Sequence, residues 1–357
     1  MKRTSGLVVV VLVVLGCGQA RAQNHSFEYN LTTGSYKTLT LGDPNHSFTL
    51  VTGISGQNVT GYGNTSYTGV TLGFLYNGTT YQTFAVPGAG GTEPFAISGN
   101  EIVGEAIAGF NKEEGFIYDG SNLTVLNVPG AQSTGASGVA GGNVVGYYIE
   151  NETYHAFLYN KNGFSDISPI GAFYSYARAI SANGDIIGNY YSRSGGQYGF
   201  LYNGTSYTTL SVAGAGSTVA TGISGNEVVG DYYIGNLIAE AAYTYNISSR
   251  TYALLAVPGA TTTTATGIDG QNVIGTYVEG GLDYGYVYNM TNETYTTIDI
   301  GQLEVIPTGI SGNEVIGTYF APVSVPEPSG IALLGTAMAL TAAIARMRRR
   351  PTGPAAP

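Results

Sequence analysis

The chain has 357 residues, with 13 Lys and Arg, 23 Asp and Glu, three His, one Cys and no Trp, set against 54 Gly and 29 Tyr. Seven basic residues sit at the two ends (Lys2, Arg3, Arg21, Arg346, Arg348, Arg349, Arg350), which leaves the body six against 22 acids, a net charge near −16. That balance excludes nucleic acid and anionic lipid as partners, the lone cysteine excludes a disulfide framework, and low charge with many Tyr and β-branched residues points to an ordered β-protein.

At the start, Lys2 and Arg3 precede an unbroken apolar stretch over residues 7–15, and Ala20-Arg21-Ala22 supplies small residues where a signal peptidase reads. The expectation is a signal peptide over 1–22, cleaved between Ala22 and Gln23. The stretch is shorter than the ~20 residues of a stable membrane span. A rival reading takes Val14-Leu15-Gly16-Cys17 as a lipoprotein box with a lipid on Cys17, although Leu15 fits that box poorly.

Residues 23–324 form a repeat. A phrase of the form Phe-x-Tyr-Asn begins at Phe27, Phe74, Phe116, Phe157, Phe200, Tyr243 and Tyr286, with spacings of 47, 42, 41, 43, 43 and 43. A second phrase follows each time, typified by Ile54-Ser55-Gly56-Gln57-Asn58-Val59-Thr60-Gly61 and ending at Ile310-Ser311-Gly312-Asn313-Glu314-Val315-Ile316-Gly317. Copies of ~40–45 residues match the period of four-stranded propeller blades. The fold class expected is all-β, a seven-bladed β-propeller of ~42-residue repeats. Each repeat reads as two hairpins. In one copy, residues 199–202 and 207–212 flank a type I′ turn at Asn203-Gly204, and residues 220–224 and 227–233 flank Gly225-Asn226. Strands such as Phe200-Leu201-Tyr202 put large groups on both faces, as sheets packed on both sides require. The alternative is a long sandwich or a β-solenoid. Because the chain enters in a Phe phrase and leaves in an Ile-Ser-Gly phrase, the hairpins at Phe27 and Ile310 are expected to combine into one sheet, leaving no exposed edge.

Residues 325–350 carry three features in order: Pro326-Glu327-Pro328, an apolar segment over 329–345, and the cluster Arg346, Arg348, Arg349, Arg350. The apolar segment is at the short end for a transmembrane helix, and the arginines would hold its end on the cytoplasmic side. This order resembles the PEP-CTERM sorting tail. The resemblance implies processing by an exosortase, transient membrane anchoring, and delivery to the cell surface or outside the cell. The tail at 351–357 is longer than that family's usual end. The phrase Tyr176-Ala177-Arg178-Ala179-Ile180-Ser181-Ala182-Asn183-Gly184-Asp185-Ile186-Ile187-Gly188, followed by Gly199-Phe200-Leu201-Tyr202, looks like the extracellular HAF repeat, with Ser181 where that repeat has Asn. It implies export and fold, and no activity.

Chemistry is sparse. His25, His46 and His155 are too few for a zinc site, and the Ser of Ile-Ser-Gly recurs in several copies, as a turn residue would and a nucleophile would not. Glu101, Glu227 and Glu314 read as solvated strand starts rather than a calcium ring. Tyr76, Tyr118, Tyr159 and Tyr202 recur in register, which favours packing over binding. No catalytic residue, metal site or cofactor is expected. The links that join the second hairpin to the next Phe phrase (107–114, 149–155, 192–198, 234–240, 278–284) vary in length and chemistry. Varied loops on a rigid scaffold are where recognition is carried, and His155, Tyr174, Arg178 and Arg193 are the candidate ligand-binding residues. The function expected is a non-enzymatic surface or matrix protein that binds exopolysaccharide or another envelope component. The alternative is a propeller polysaccharide hydrolase or lyase.

Overall fold

The computed structural model describes residues 23–42, 48–64, 70–109, 112–234, 239–301 and 303–321. The expected signal segment up to Ala22, with Cys17, lies outside the described residues. So do His46, the expected sorting residues Pro326, Glu327, Pro328, Arg346, Arg348, Arg349 and Arg350, and the end of the chain. The described residues contain 28 strands and no helix.

The strands come in chain order as β1 (Gln23–Asn30) and β2 (Tyr36–Leu39), then β3 (Thr49–Ser55), β4 (Asn58–Gly63), β5 (Leu72–Tyr76) and β6 (Tyr81–Phe84). Next are β7 (Thr92–Ser98), β8 (Glu101–Gly109), β9 (Lys112–Tyr118) and β10 (Leu123–Leu126), then β11 (Ser133–Ala140), β12 (Asn143–Glu150), β13 (Thr153–Asn160) and β14 (Gly163–Asp166). They continue with β15 (Ala172–Ile180), β16 (Ile186–Ser192), β17 (Gln197–Tyr202) and β18 (Tyr207–Leu210), then β19 (Ser217–Ser224), β20 (Glu227–Tyr233), β21 (Ala239–Asn246) and β22 (Thr251–Leu255). The last are β23 (Thr262–Asp269), β24 (Asn272–Glu279), β25 (Leu282–Asn289) and β26 (Thr294–Thr297), then β27 (Leu303–Ser311) and β28 (Glu314–Ala321).

From β3 onward each run of four pairs as an antiparallel meander. One parallel pair, Gln197 with Ser217, ties the β15–β18 meander to β19–β22. The four strands left over are the two ends of the chain, which share one sheet in the order β2-β1-β28-β27. The hairpins at Phe27 and Ile310 thus complete each other, as the repeat phase requires. Leu31 N–H donates to the Asn313 carbonyl (2.8 Å), and Asn30 Nδ2 to Glu314 Oε1 (2.5 Å).

The two sequence phrases turn out to be two halves of one contact. Gly61 pairs across strands with Phe74, Gly104 with Phe116, Gly146 with Phe157, Gly188 with Phe200, Gly230 with Tyr243 and Gly275 with Tyr286. A Cβ on Gly146 would collide with the Gly135 carbonyl, and one on Gly188 would also collide with the Phe200 ring. The bare side of the glycine therefore houses the ring. Those rings are essentially fully buried, each contributing about 1.5–3 kcal/mol of transfer free energy. Packing is between successive sheets. Leu75 and Phe84 meet Ile102 and Phe116, while Ile187 and Leu201 meet Val228 and Tyr243. The end sheet packs back on the first meander through Leu39 and Ile316 against Val59 and Phe74.

Besides a second shift in β15 at Phe173 and in β27 at Glu304, every first strand has a register shift at one shared position: Thr52, Phe95, Ser137, Arg178, Thr221, Thr266 and Thr308. The bulge re-aims that side chain out of the ladder and toward the next sheet. Thr52 Oγ1 donates to the Pro94 carbonyl (2.8 Å), Ser137 Oγ to Ala177 (2.6 Å), Thr266 Oγ1 to Pro307 (2.9 Å) and Thr308 Oγ1 to Val51 (3.2 Å). The Ile-Ser-Gly serines form a second belt. Ser55 Oγ accepts from Gly99 N–H (2.9 Å), Ser224 from Gly270 (3.0 Å) and Ser311 from Gly56 (2.9 Å). Both belts run from the last sheet to the first, so the order of contacts is circular.

The first-hairpin turns differ from expectation, at Asn77-Gly78 and Asp119-Gly120 (Tyr76 pairs with Tyr81 and Tyr118 with Leu123) as at Asn203-Gly204. Tyr202 pairs with Tyr207, so the connection is the four-residue loop 203–206, not a two-residue type I′ turn at Asn203-Gly204. Asn203 does not adopt positive φ. Its Oδ1 instead accepts from the N–H groups of Thr205 (3.1 Å) and Ser206 (2.8 Å), and side-chain capping of this kind replaces the backbone turn. Tyr202 Oη closes the loop on the Gly204 carbonyl (2.7 Å), as Tyr76 and Tyr118 do on Gly78 and Gly120.

Candidate functional site

In an up-and-down meander the turns after the first and third strands share one side, the turn side. The links after the second strand, and the connections to the next sheet, share the other, the link side. On the link side, the start of β15 and the end of β16 lie together, with Tyr174 paired opposite Tyr191. Phe173, Tyr174, Tyr191, Ser192, Arg193 and Gly195 surround a hollow of about 660 Å³. Phe173 is 47% exposed, Tyr191 41% and neighbouring Ile170 99%. Large apolar groups left this open are unusual when clustered. The rings brace each other: Phe173 and Tyr174 centroids lie 4.2 Å apart, and Tyr154 meets Tyr174 edge-on at 6.0 Å. Tyr147 lies 5.4 Å from Tyr154 and donates its phenol to Glu105 Oε2 (2.7 Å). Burial pushes the Glu105 carboxyl above the usual range, and the Tyr147 bond pulls it back only in part. Glu93, opposite Glu105 in the ladder, is also raised by burial.

The four expected residues divide. Tyr174 and Arg193 both line the hollow. Arg178 lies further along β15 at the bulge, where Nε donates to the Thr221 carbonyl (3.2 Å). His155 is not brought to the hollow. Strand alternation sends Tyr154 toward Tyr174 and His155 to the opposite face, where it stacks on Tyr148 (5.0 Å) with Nδ1 3.8 Å from Asp166 Oδ2. Sequence reasoning passed over Phe173, Tyr191 and Tyr154. The dense run Phe173-Tyr174-Ser175-Tyr176 was the available signal.

Beside Arg178 is Asp231, only 7% exposed. Burial pushes its carboxyl up to about 7, against the opposing pull of the Ala265 N–H bond and Arg178. At the matching place one sheet earlier stands Asn189. Its Oδ1 accepts from Ala220 N–H (2.8 Å) and its Nδ2 donates to the Ala220 carbonyl (3.1 Å). Asp231 Oδ1 makes the first of these bonds, to Ala265 N–H (2.8 Å). A second hollow, about 350 Å³, lies on the end sheet. Its charges are already matched internally: Lys37 Nζ is 2.8 Å from Glu28 Oε2, and Asn30 holds Glu314. Among the described residues no group of three or more His, Cys, Asp or Glu is placed to hold a metal ion. Glu227, like Glu314, accepts from an Asn of the Phe-x-Tyr-Asn phrase, here Asn246 (2.5 Å).

Neither protein-family models nor curated proteins match this sequence. Solved structures do match. Puromycin hydrolase is 11% identical, over 74% of this chain and 48% of that one, with TM-score 0.53. A prolyl endopeptidase is 9% identical, over 82% and 44%, with TM-score 0.52. A protein from Agrobacterium tumefaciens assigned as TolB is 12% identical, over 85% and 99%, with TM-score 0.47. This chain spans about half the length of the first two. The likeness shows the fold alone, an all-β architecture of the β-propeller kind.

Proposed function

We propose that this chain is an exported, non-enzymatic protein of the cell surface or extracellular matrix, a seven-bladed propeller that holds exopolysaccharide or another envelope component on its link side. The observation that carries the reading is the open aromatic hollow of Phe173, Tyr174 and Tyr191 with Arg193 at its rim. Flat, braced rings with two side-chain torsions each offer contact area at low entropic cost. The seven phrases and the shared end sheet support a count of seven blades. Export rests on the expected signal ending at Ala22. Sorting by an exosortase, with transient anchoring, rests on the PEP-CTERM resemblance of residues 325–350.

The enzyme reading gains little from the geometry. The serines of the second phrase serve as acceptors between sheets, and Glu105 is partnered by a tyrosine rather than by Arg or His. The test is a glycan array probed with the exported protein and with a variant whose links on the hollow side are replaced by Gly-Ser. Binding by the parent, and its loss in a variant that still unfolds cooperatively, is expected. Equal binding by both would exclude this face, and turnover of any arrayed polymer would restore the enzyme.

A further inference from the structure

The hollow also carries information about ligand charge. The body is strongly acidic, near −16, yet among the described residues no carboxylate lines the hollow, and the one charged group there is Arg193. Arg193 is exposed and makes no ion pair among the described residues. Long-range repulsion from the rest of the chain is screened beyond ~8 Å at physiological salt, so the local guanidinium decides which charges approach the rings. A guanidinium binds a carboxylate through two parallel hydrogen bonds, and an aromatic face packs on the C–H face of a pyranose. The hollow's volume is within the ~300–1,000 Å³ of small-molecule sites.

We infer that the hollow binds a carboxylate-bearing polysaccharide of the uronic-acid type, with sugar rings stacked on Phe173, Tyr174 and Tyr191 and a sugar carboxylate paired to Arg193. This rests on the glycan-binding reading above and sharpens it. Arg193 occupies the β16–β17 link, outside every strand ladder, so its substitution leaves the fold intact.

The experiment is titration calorimetry of the full chain with alginate oligosaccharides, neutral dextran oligosaccharides and polyglutamate. Alginate is expected to bind most tightly. Arg193→Gln should weaken alginate about tenfold and leave dextran unchanged, since one charge-assisted contact is worth ~1.5 kcal/mol or more. Tyr174→Ala should weaken both sugars by up to about tenfold, and Arg250→Gln, on the turn side, should change neither. Dextran binding as tightly as alginate, or alginate binding untouched by Arg193→Gln, would overturn the acidic assignment while leaving the glycan reading in place. Polyglutamate matching alginate would overturn the sugar assignment. Binding of no saccharide at all would sink both.

Discussion

Replacing Asp231 with Asn should flatten the acid side of the stability profile. The carboxyl has an ordinary value of 3.8 and is held at about 7 in the fold, chiefly by burial. Its surroundings include Arg178, which pulls the other way, and the Tyr233, Tyr243 and Tyr286 phenols, all pushed above their usual value chiefly by burial. The gap between 3.8 and about 7 corresponds to roughly 4 kcal/mol in favour of the protonated carboxyl in the fold. Because the native state binds the proton more tightly than the unfolded chain, this stabilisation is complete below about pH 3.8. It is lost as the pH climbs to about 7, and above that both states are ionised and nothing more changes. Asparagine has no proton to lose, and Asn189 already makes the same bonds one sheet earlier. Thermal unfolding of both proteins should therefore coincide near pH 4 and diverge by pH 8. The Asn variant should then melt higher by roughly 8 °C, taking ~2 °C per kcal/mol for a domain of this size. Melting curves that run parallel from pH 4 to 8 would refute the buried, protonated carboxyl.

The Tyr286 hydroxyl is buried without a partner among the described residues, whereas Tyr243 donates to the Val219 carbonyl (3.1 Å). Tyr286→Phe should raise stability by about 1 kcal/mol in urea titrations, and Tyr243→Phe should lower it by a similar amount. Gly146→Ala forces a methyl into the Gly135 carbonyl and should cost roughly 1–3 kcal/mol in the same assay, with no relief from truncating surface side chains. Thr308→Val deletes the bond to Val51 that joins the last sheet to the first, and should cost about 1 kcal/mol. If the end segments are processed as proposed, mass spectrometry of envelope fractions should find a chain that begins at Gln23 and lacks Arg346 to Arg350. A predominant intact C-terminus would leave only a plain anchor.

Much of the architecture could be read from repetition, because each repeat has to make the same two hairpins and meet the same neighbours. The partnership of the phrases could not. That Gly188 lies opposite Phe200 is a matter of cross-strand register, and neither residue announces its partner. The bulges at Thr52 or Ser137 were equally hidden, since a register shift leaves no mark on composition. Asn203-Gly204 misled because the pair that favours a type I′ turn also builds a side-chain-capped loop, and the spacing to Tyr207 decides between them. At the hollow, Arg193 was legible as a residue of a varied link and Tyr174 as a residue of the same irregular repeat. His155 was not separable from them, because only alternation along β13 reveals that it faces away from Tyr154.

The shared end sheet also sets a timetable. Until β28 exists, β1 has an open edge and the hairpin of β1 and β2 has no second half, although Asn30 and Glu314 are 284 positions apart. A two-stranded hairpin alone is marginal in water, and an unpaired edge is a template for the wrong chain. The interior meanders can form from neighbouring sequence as they emerge, while the first strand waits for the last. A chain threaded through a translocation channel from its N-terminus would thus hold its aggregation-prone edge open for nearly the whole passage, and the arrival of residues 314–321 is the event that ends that exposure.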